Sequence, residues 1–279
     1  MNQDTVLAVA VRAARRAASI IIDAARDLKR LPSHAKGHGD IAGAAAADAR
    51  KAIIATLRAA FPAHAILGDD AGGAPPPTST AGAANAYRWI VDPIDGTVNF
   101  AHGFPYYAAS IALTHGDDIT HAAVLDPLRD ELFIAITGKG AELNGTPIRV
   151  TACTSLADAL VGTVFPARES PTMRAYLPVF STLVVRCAGL RRAGACALDL
   201  AQVAAGRLDG FWTMSLQPWD VAAGALLVRE AGGRVGDFAG GGEFVRSSEV
   251  IAAAPGIFNS LRETIAAVAP AAAAKSPAA

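Results

Sequence analysis

The sequence predicts a layered α/β protein, and three features of the chain support that prediction. Apolar residues in the first thirty positions recur at helical spacing, the middle of the chain alternates short apolar runs with turn residues, and the part after residue 160 alternates helix-length and strand-length apolar stretches. Helices and strands of this kind bury one face each by stacking into layers. The 279 residues, 52% of them hydrophobic, are enough to bury a large core.

Helices are predicted at the start of the chain and throughout its second half. The first has an apolar stripe with charged residues elsewhere, formed by Leu7, Val11, Ala14, Ala18, Ile21, Ala25 and Leu28. A second helix is predicted over residues 46–61, with Pro62 just beyond its end. Later helices are predicted near residues 171–183, 195–205, 221–231 and 257–268.

Strands are predicted between these groups of helices. Their ranges are residues 65–68, 87–92, 108–115, 119–125 and 131–137, and a further strand is predicted at 160–165. Because short turns join the consecutive strands from 108 to 137, this region reads as a meander. We expect one domain over residues 1–268, with approximate halves 1–150 and 151–268, and a disordered tail over residues 269–279.

Composition limits the classes of partner and compartment. The formal net charge is zero and there is no cluster of lysine or arginine, so we expect no nucleic-acid partner. Three cysteines without metal-ligand spacing read as reduced thiols of a cytoplasmic protein. Charged residues in the first thirty positions interrupt the continuous apolar core that a cleavable signal needs, and we expect no membrane partner.

An acidic turn follows the predicted strand at 87–92. Asp92 and Asp95 flank Pro93, which fixes its own backbone angle, and Gly96 tolerates angles that other residues avoid, so both carboxylates can converge on one point. Converging carboxylates repel each other unless a cation lies between them. The amides of Gly96 and Thr97 suit a phosphate oxygen. Asp-Pro and Asp-Gly also occur in purely structural turns, so this turn needs support from elsewhere in the chain.

Two further acidic positions lie at the ends of predicted elements. Asp69 and Asp70 follow the strand at 65–68, and Asp220 precedes an apolar helix, where it could also act as a plain N-cap. Magnesium prefers six oxygen ligands and commonly combines one or two carboxylates with water. Together the three acidic positions predict a site for a pair of magnesium ions.

The residues 92–100, Asp-Pro-Ile-Asp-Gly-Thr-Val-Asn-Phe, resemble the first signature of the inositol monophosphatase family, and Trp219-Asp220 with its apolar helix resembles the second. Residues 100–105, 138–145 and 191–200 extend the resemblance over nearly the whole chain. The resemblance implies a five-layer αβαβα sandwich of the inositol monophosphatase and fructose-1,6-bisphosphatase type. It also implies a homodimer.

The resemblance further implies two or three Mg²⁺ ions per site. Asp69, Asp92 and the backbone carbonyl of Ile94 would hold the first ion. Asp92, Asp95 and Asp220 would hold the second, so that Asp92 bridges the two.

Phosphate and substrate contacts are implied in the same way. The amides of Gly96 and Thr97 would bind the phosphate, and the Thr97 hydroxyl, paired with Asp48, would orient a water for attack. Asp48, Asp69 and Thr97 are therefore the expected catalytic residues. The expected substrate contacts are Asp95, Arg191, Gly194, Ala195, Thr213 and Asp220, with Arg191 also fitting the dimer edge.

Three positions depart from the family pattern. The family usually has two glutamates where this chain has Asp69-Asp70, often has a threonine where this chain has Ala45, and has a glutamate at Thr213 in members that bind inositol. Each departure trims a catalytic or substrate contact. One alternative is therefore a catalytically weakened relative that binds metal and phosphate and acts by contacting another macromolecule.

The resemblance implies Mg²⁺-dependent, lithium-sensitive hydrolysis of a small phosphate monoester by direct attack of water, with no covalent intermediate. Inositol 1-phosphate or a related polyol or sugar phosphate is the predicted substrate. Histidinol phosphate, 3′-phosphoadenosine 5′-phosphate and fructose 1,6-bisphosphate stay open. A haloacid-dehalogenase-type phosphatase also carries Asp-Gly-Thr, but there the two aspartates stand one position closer and the first attacks phosphorus.

Overall fold

The computed structural model describes residues 2–28, 37–68, 86–167, 169–242, 244 and 248–269. The helices in these ranges are α1 (Gln3–Leu28), α2 (Gly37–Ala60), α3 (Thr97–Ala101), α4 (Thr172–Arg186), α5 (Cys196–Ala204), α6 (Pro218–Glu230) and α7 (Pro255–Ala266). The strands of the first half are β1 (Ala65–Gly68), β2 (Tyr87–Asp95), β3 (Ala108–His115), β4 (Asp118–Asp126), β5 (Glu131–Ile136), β6 (Gly140–Leu143) and β7 (Thr146–Ile148). Those of the second half are β8 (Leu160–Thr163), β9 (Gly189–Arg191), β10 (Gly210–Met214), β11 (Arg234–Gly236) and β12 (Glu249–Ala253).

The described strands form two sheets. The first runs β1-β2-β3-β4-β5-β6-β7 in chain order, with β1 parallel to β2 and every later pair antiparallel, which is the predicted meander extended by two strands. The second has the order β11-β12-β10-β8-β9 and mixes parallel and antiparallel pairs. Every strand of the first sheet precedes every strand of the second in the chain.

Alternation along the strands separates the layers. In β2, Trp89 and Val91 pack on α1 and α2, whereas Ile90 faces α5 and α6. In β10, Phe211 faces the α5 and α6 layer and Trp212 packs on α4 and α7. Because successive side chains of a strand point to opposite faces, each sheet is covered on both sides. The result is a five-layer αβαβα sandwich, which confirms the predicted fold class.

The turn after β2 lies later than the sequence predicts. The strand continues through Pro93 and Ile94 to Asp95, and its pairing with β3 shifts register between Asp92 and Asp95. This irregularity accommodates a proline that has no N–H to donate to the ladder. The chain turns at Gly96 instead, whose φ of 89° lies in the left-handed region.

The second helix also differs from its prediction, since α2 begins at Gly37 rather than near residue 46. The alanines between them favour a helix strongly enough to offset the glycines. Residues 270–279 lie outside the described ranges, so the disordered tail stays a prediction. Within the described part of the chain, we find no helix that combines the length and apolar character needed to span a bilayer.

Candidate active site

The end of β2 places two aspartates in the interior of the molecule. Asp92 and Asp95 are both buried, with 4% and 6% of their surface exposed. The Asp92 Oδ1 accepts a hydrogen bond from the Ile94 N–H at 3.0 Å. The Ile94 side chain points into the core against α1 and α2, so this residue presents only its backbone to the site.

Asp95 joins β2 to the first turn of α5. Its Oδ1 accepts the Cys196 N–H at 3.0 Å, and its Oδ2 accepts the N–H groups of Ala197 and Leu198 at 2.8 and 3.3 Å. The first N–H groups of a helix have no partner within it, so the carboxylate takes the place of an N-cap side chain. A carboxylate has about four lone-pair positions, and three amides leave room for one further partner such as a cation.

Asp220 brings a third carboxylate from α6. It lies in the first turn of that helix, where its Oδ2 accepts the Gln217 N–H at 2.9 Å in a capping box. Burial and, second, the negative charge of Asp220 raise the pKa of Asp95 to about 7, although the three amides of α5 oppose that shift. Mutual destabilisation of two close carboxylates is the effect that a bound cation reverses.

The same carboxylates surround the thiol of Cys196. Burial raises the pKa of this thiol well above its ordinary value, and the charges of Asp95, Asp220, Asp199 and Asp92 raise it further. A protonated thiol is a poor nucleophile, so these surroundings disfavour a nucleophilic role for Cys196.

The donor set fits a hard divalent ion by its chemistry, since all three side chains offer carboxylate oxygens. Within the described ranges, however, no three histidine, cysteine, aspartate or glutamate side chains by themselves form a group able to hold a metal ion. Asp69, the predicted additional ligand, and Asp70 lie outside those ranges. The described residues therefore do not form the predicted metal site by themselves.

A cavity of about 510 Å³ opens beside the turn at Gly96. A Cβ at residue 96 would lie 3.0 Å from the Tyr106 carbonyl oxygen and 3.1 Å from the Ala195 Cβ, and these tight contacts together with the φ of 89° favour glycine here. Thr97 begins α3 and is exposed. The lining residues are Gly96, Thr97, Val98, Asn99, Val164, Phe165, Pro166, Ala167, Met173, Arg192 and Gly194.

Asn99 connects two backbone segments beside the cavity. Its Nδ2 donates to the carbonyls of Tyr106 and Ala193, both at 2.8 Å. Gly194, which has a φ of 95°, packs so closely that a Cβ there would lie 3.1 Å from the Asn99 Nδ2 and 3.2 Å from the Arg192 Nη1. The predicted substrate residues Gly194 and Ala195 thus lie against the same turn as Gly96.

Three other predicted site residues form an ion pair or a hydrogen bond with groups that were not predicted to be their partners. Asp48 lies on α2 with 60% of its side chain exposed, and its Oδ1 pairs with the Lys51 Nζ at 3.0 Å rather than with Thr97. Thr213 is 1% exposed and its hydroxyl donates to the Val164 carbonyl at 3.0 Å. The Arg191 Nη1 donates to the Leu190 carbonyl at 3.0 Å, and Arg191 is not among the cavity-lining residues.

Several residues near the cavity were not predicted from the sequence. The Arg192 guanidinium lies 4.8 Å from the centre of the Phe165 ring, and both side chains line the cavity. The Tyr106 hydroxyl donates to the Asp199 Oδ1 at 2.6 Å, and burial raises the pKa of Asp199 well above its usual range. Arg192 and Asp199 lie in the segment 191–200 that resembles the family, but the segment does not show which side chains they contact, because long-range packing sets those contacts.

Curated relatives of high similarity are Nus factors. The Pseudomonas aeruginosa protein named Nus factor SuhB is 44% identical over 93% of this chain and 95% of its own length. The Escherichia coli K12 protein of the same name is 38% identical over 91% and 93%. The expectation of no nucleic-acid partner is therefore wrong. Neutral net charge argues only against a broad basic surface, and it does not exclude a partner that reaches nucleic acid through another protein.

Solved structures agree with the fold. The inositol monophosphatase of Anabaena (Nostoc) matches with a TM-score of 0.83 and 32% identity over 98% of this chain and all of that one. The extragenic suppressor protein suhB of Bartonella henselae matches with a TM-score of 0.81 and 36% identity over 94% and 99%. A sequence model of the inositol monophosphatase family, whose members are generally metal-dependent, matches residues 2–273. This chain therefore belongs to the inositol monophosphatase family.

Proposed function

We propose that this protein is a Mg²⁺-dependent phosphatase of small phosphate monoesters. One observation supports this most strongly. Gly96 and Thr97, which follow β2, and Gly194, which precedes α5, line the same cavity. Next to this cavity, the Asp95 carboxylate at the end of β2 accepts hydrogen bonds from the first turn of α5. Membership of the family supports the reaction class.

We assign the metal site to Asp92, Asp95 and Asp220 together with Asp69 and the Ile94 carbonyl, for two or three Mg²⁺ ions. Bound Mg²⁺ would neutralise charge on the phosphate and lower the pKa of the attacking water. The three amides of α5 fix the orientation of the Asp95 carboxylate before any ligand arrives. A preorganised group of this kind needs no rearrangement during the reaction.

The chain's own polar groups would position the ester. The amides of Gly96 and Thr97 face phosphate oxygens in the proposal, and Gly194 leaves room for the alcohol. Asp48 is assigned to orient the attacking water together with Thr97. Because Asp48 pairs with Lys51 in this structure, that role requires its carboxylate to exchange one partner for another.

A phosphate-release panel tests the proposal. Inositol 1-phosphate, fructose 1,6-bisphosphate, histidinol phosphate and 3′-phosphoadenosine 5′-phosphate are incubated with the full chain and Mg²⁺, with EDTA, and with added lithium. We expect release from at least one ester, abolished by EDTA and inhibited by lithium. An acid-quenched sample should contain no phosphorylated protein. Absence of release from all four esters would overturn the proposal.

We also propose a regulatory role as a partner of the transcription machinery. The names of the curated relatives favour it. Two features of the site agree with it: the Thr213 hydroxyl donates to the Val164 carbonyl, and Asp48 is paired with Lys51.

Purified RNA polymerase elongation complexes, assembled with and without the other Nus factors, should retain the wild-type chain and Asp92→Asn equally. If neither assembly retains either protein, the regulatory role is excluded.

The homodimer that the resemblance implies is proposed here as well. Leu177, Val184 and Val185 of α4 are 53%, 49% and 81% exposed, and a second copy could cover this apolar face. Light scattering of the purified chain should give twice the monomer mass, and a monomer mass would refute the dimer.

A further inference from the structure

The cavity beside Gly96 has two walls of different chemistry. One wall, the phosphate turn, is Gly96, Thr97 and Asn99. A second group of lining residues is apolar, and we call it the apolar wall: Val164, Phe165, Pro166, Ala167 and Met173. A phosphate held at the turn would therefore direct its alcohol toward carbon surface.

Among the described residues that line the cavity, few polar side chains remain for a polyol. Both amide hydrogens of Asn99 are donated to the backbone carbonyls of Tyr106 and Ala193. Thr213, a predicted substrate contact, is buried and donates its hydroxyl to the Val164 carbonyl of the apolar wall. Hydroxyl groups of a polyol that contact such a wall would lose hydrogen bonds to water and gain none from the protein, which weakens binding.

The apolar wall is held in place from several sides. The Phe165 ring meets Tyr176 and Phe180 edge to face, with ring centres 5.3 and 5.7 Å apart, and Arg192 lies over one face of Phe165. Phe165 nevertheless keeps 39% of its surface exposed. A fixed aromatic side chain that keeps exposed surface is a good contact for another aromatic group.

We propose that the preferred substrate is a phosphate monoester whose alcohol is apolar and carries an aromatic ring, bound against Phe165 and Met173. This inference rests on the proposed phosphatase function and names the substrate class of that site. Arg192 completes the subsite as a cationic, flat neighbour of the ring.

The test compares two alkyl esters with the full chain and Mg²⁺. We expect kcat/KM for 2-phenylethyl phosphate to exceed that for inositol 1-phosphate by about tenfold, since both leaving groups are alkyl alcohols and pocket contacts decide the ratio. Phe165→Ala should remove most of this preference. Phe104→Ala is the matched control, because Phe104 is 53% exposed and is not a lining residue of the cavity.

A binding measurement separates failure of this inference from failure of the phosphatase proposal. Calorimetry compares benzylphosphonate with hydroxymethylphosphonate, neither of which can be hydrolysed as an ester. Tighter binding of benzylphosphonate, weakened by Phe165→Ala or by Met173→Gln, supports the subsite even if no ester turns over. Equal binding of the two phosphonates, or equal effects of Phe165→Ala and Phe104→Ala, overturns it.

Discussion

Replacement of Asp95 by alanine is expected to lower the free energy of unfolding by about 1–3 kcal/mol, because three buried amides of α5 lose their acceptor at once and relief of the repulsion from Asp220 offsets only part of that loss. We expect a lower stability of the whole protein and, in addition, a local loosening of the first turn of α5. Urea unfolding followed by circular dichroism measures the first, and hydrogen exchange at Cys196, Ala197 and Leu198 measures the second.

Asp48→Ala is the matched control for stability. It removes the same carboxylate group from an exposed helix position whose ion pair with Lys51 spans one helical turn. Such surface pairs contribute about 0.2–1 kcal/mol. If Asp95→Ala destabilises no more than Asp48→Ala, the Asp95 carboxylate does not hold α5 in place.

Asp92→Asn is expected to lower Mg²⁺-dependent phosphate release by at least about a hundredfold while the fold persists. The amide oxygen of asparagine can still accept the Ile94 N–H, so the local hydrogen bond at the end of β2 is retained. The negative charge that would bridge the metal ions is lost. Phosphate release from the best ester of the panel, together with urea unfolding, measures both effects.

Asp209→Asn serves as the control for this second prediction. Asp209 likewise accepts a backbone amide beside a strand, that of Leu160 at 2.7 Å, and it is not a lining residue of the cavity. Its substitution should leave phosphate release within about twofold of wild type. Near-normal activity of Asp92→Asn would contradict the bridging role of Asp92.

Sequence reasoning predicted well what depends on periodicity and short-range turns. The layers follow from apolar stripes such as that of α1, where Ala14, Ala18 and Ile21 are buried as expected. The position of the sharp turn was missed by three residues, since a sheet partner can hold Pro93 in an irregular strand. Such pairing depends on β3, which the local sequence of β2 does not describe.

The contacts that side chains make near the cavity were harder to predict. Arg191 and Arg192 are adjacent in the sequence, and only the structure distinguishes the arginine on the Leu190 carbonyl from the arginine over Phe165. Thr213 was expected to contact substrate, yet its hydroxyl reaches a carbonyl 49 positions away in the chain. Contacts of this kind arise from tertiary packing, to which sequence spacing gives no guide.

The bond between Asp95 and α5 has a consequence for evolution by recombination. It links residues that are 101 to 103 positions apart, and its donors on the α5 side are main-chain amides. Any amino acid except proline supplies such a donor. A crossover between two homologous genes at a position between Asp95 and α5 would therefore preserve these hydrogen bonds. Hybrid proteins that inherit their two sheets from different parents should still form the contact between Asp95 and α5.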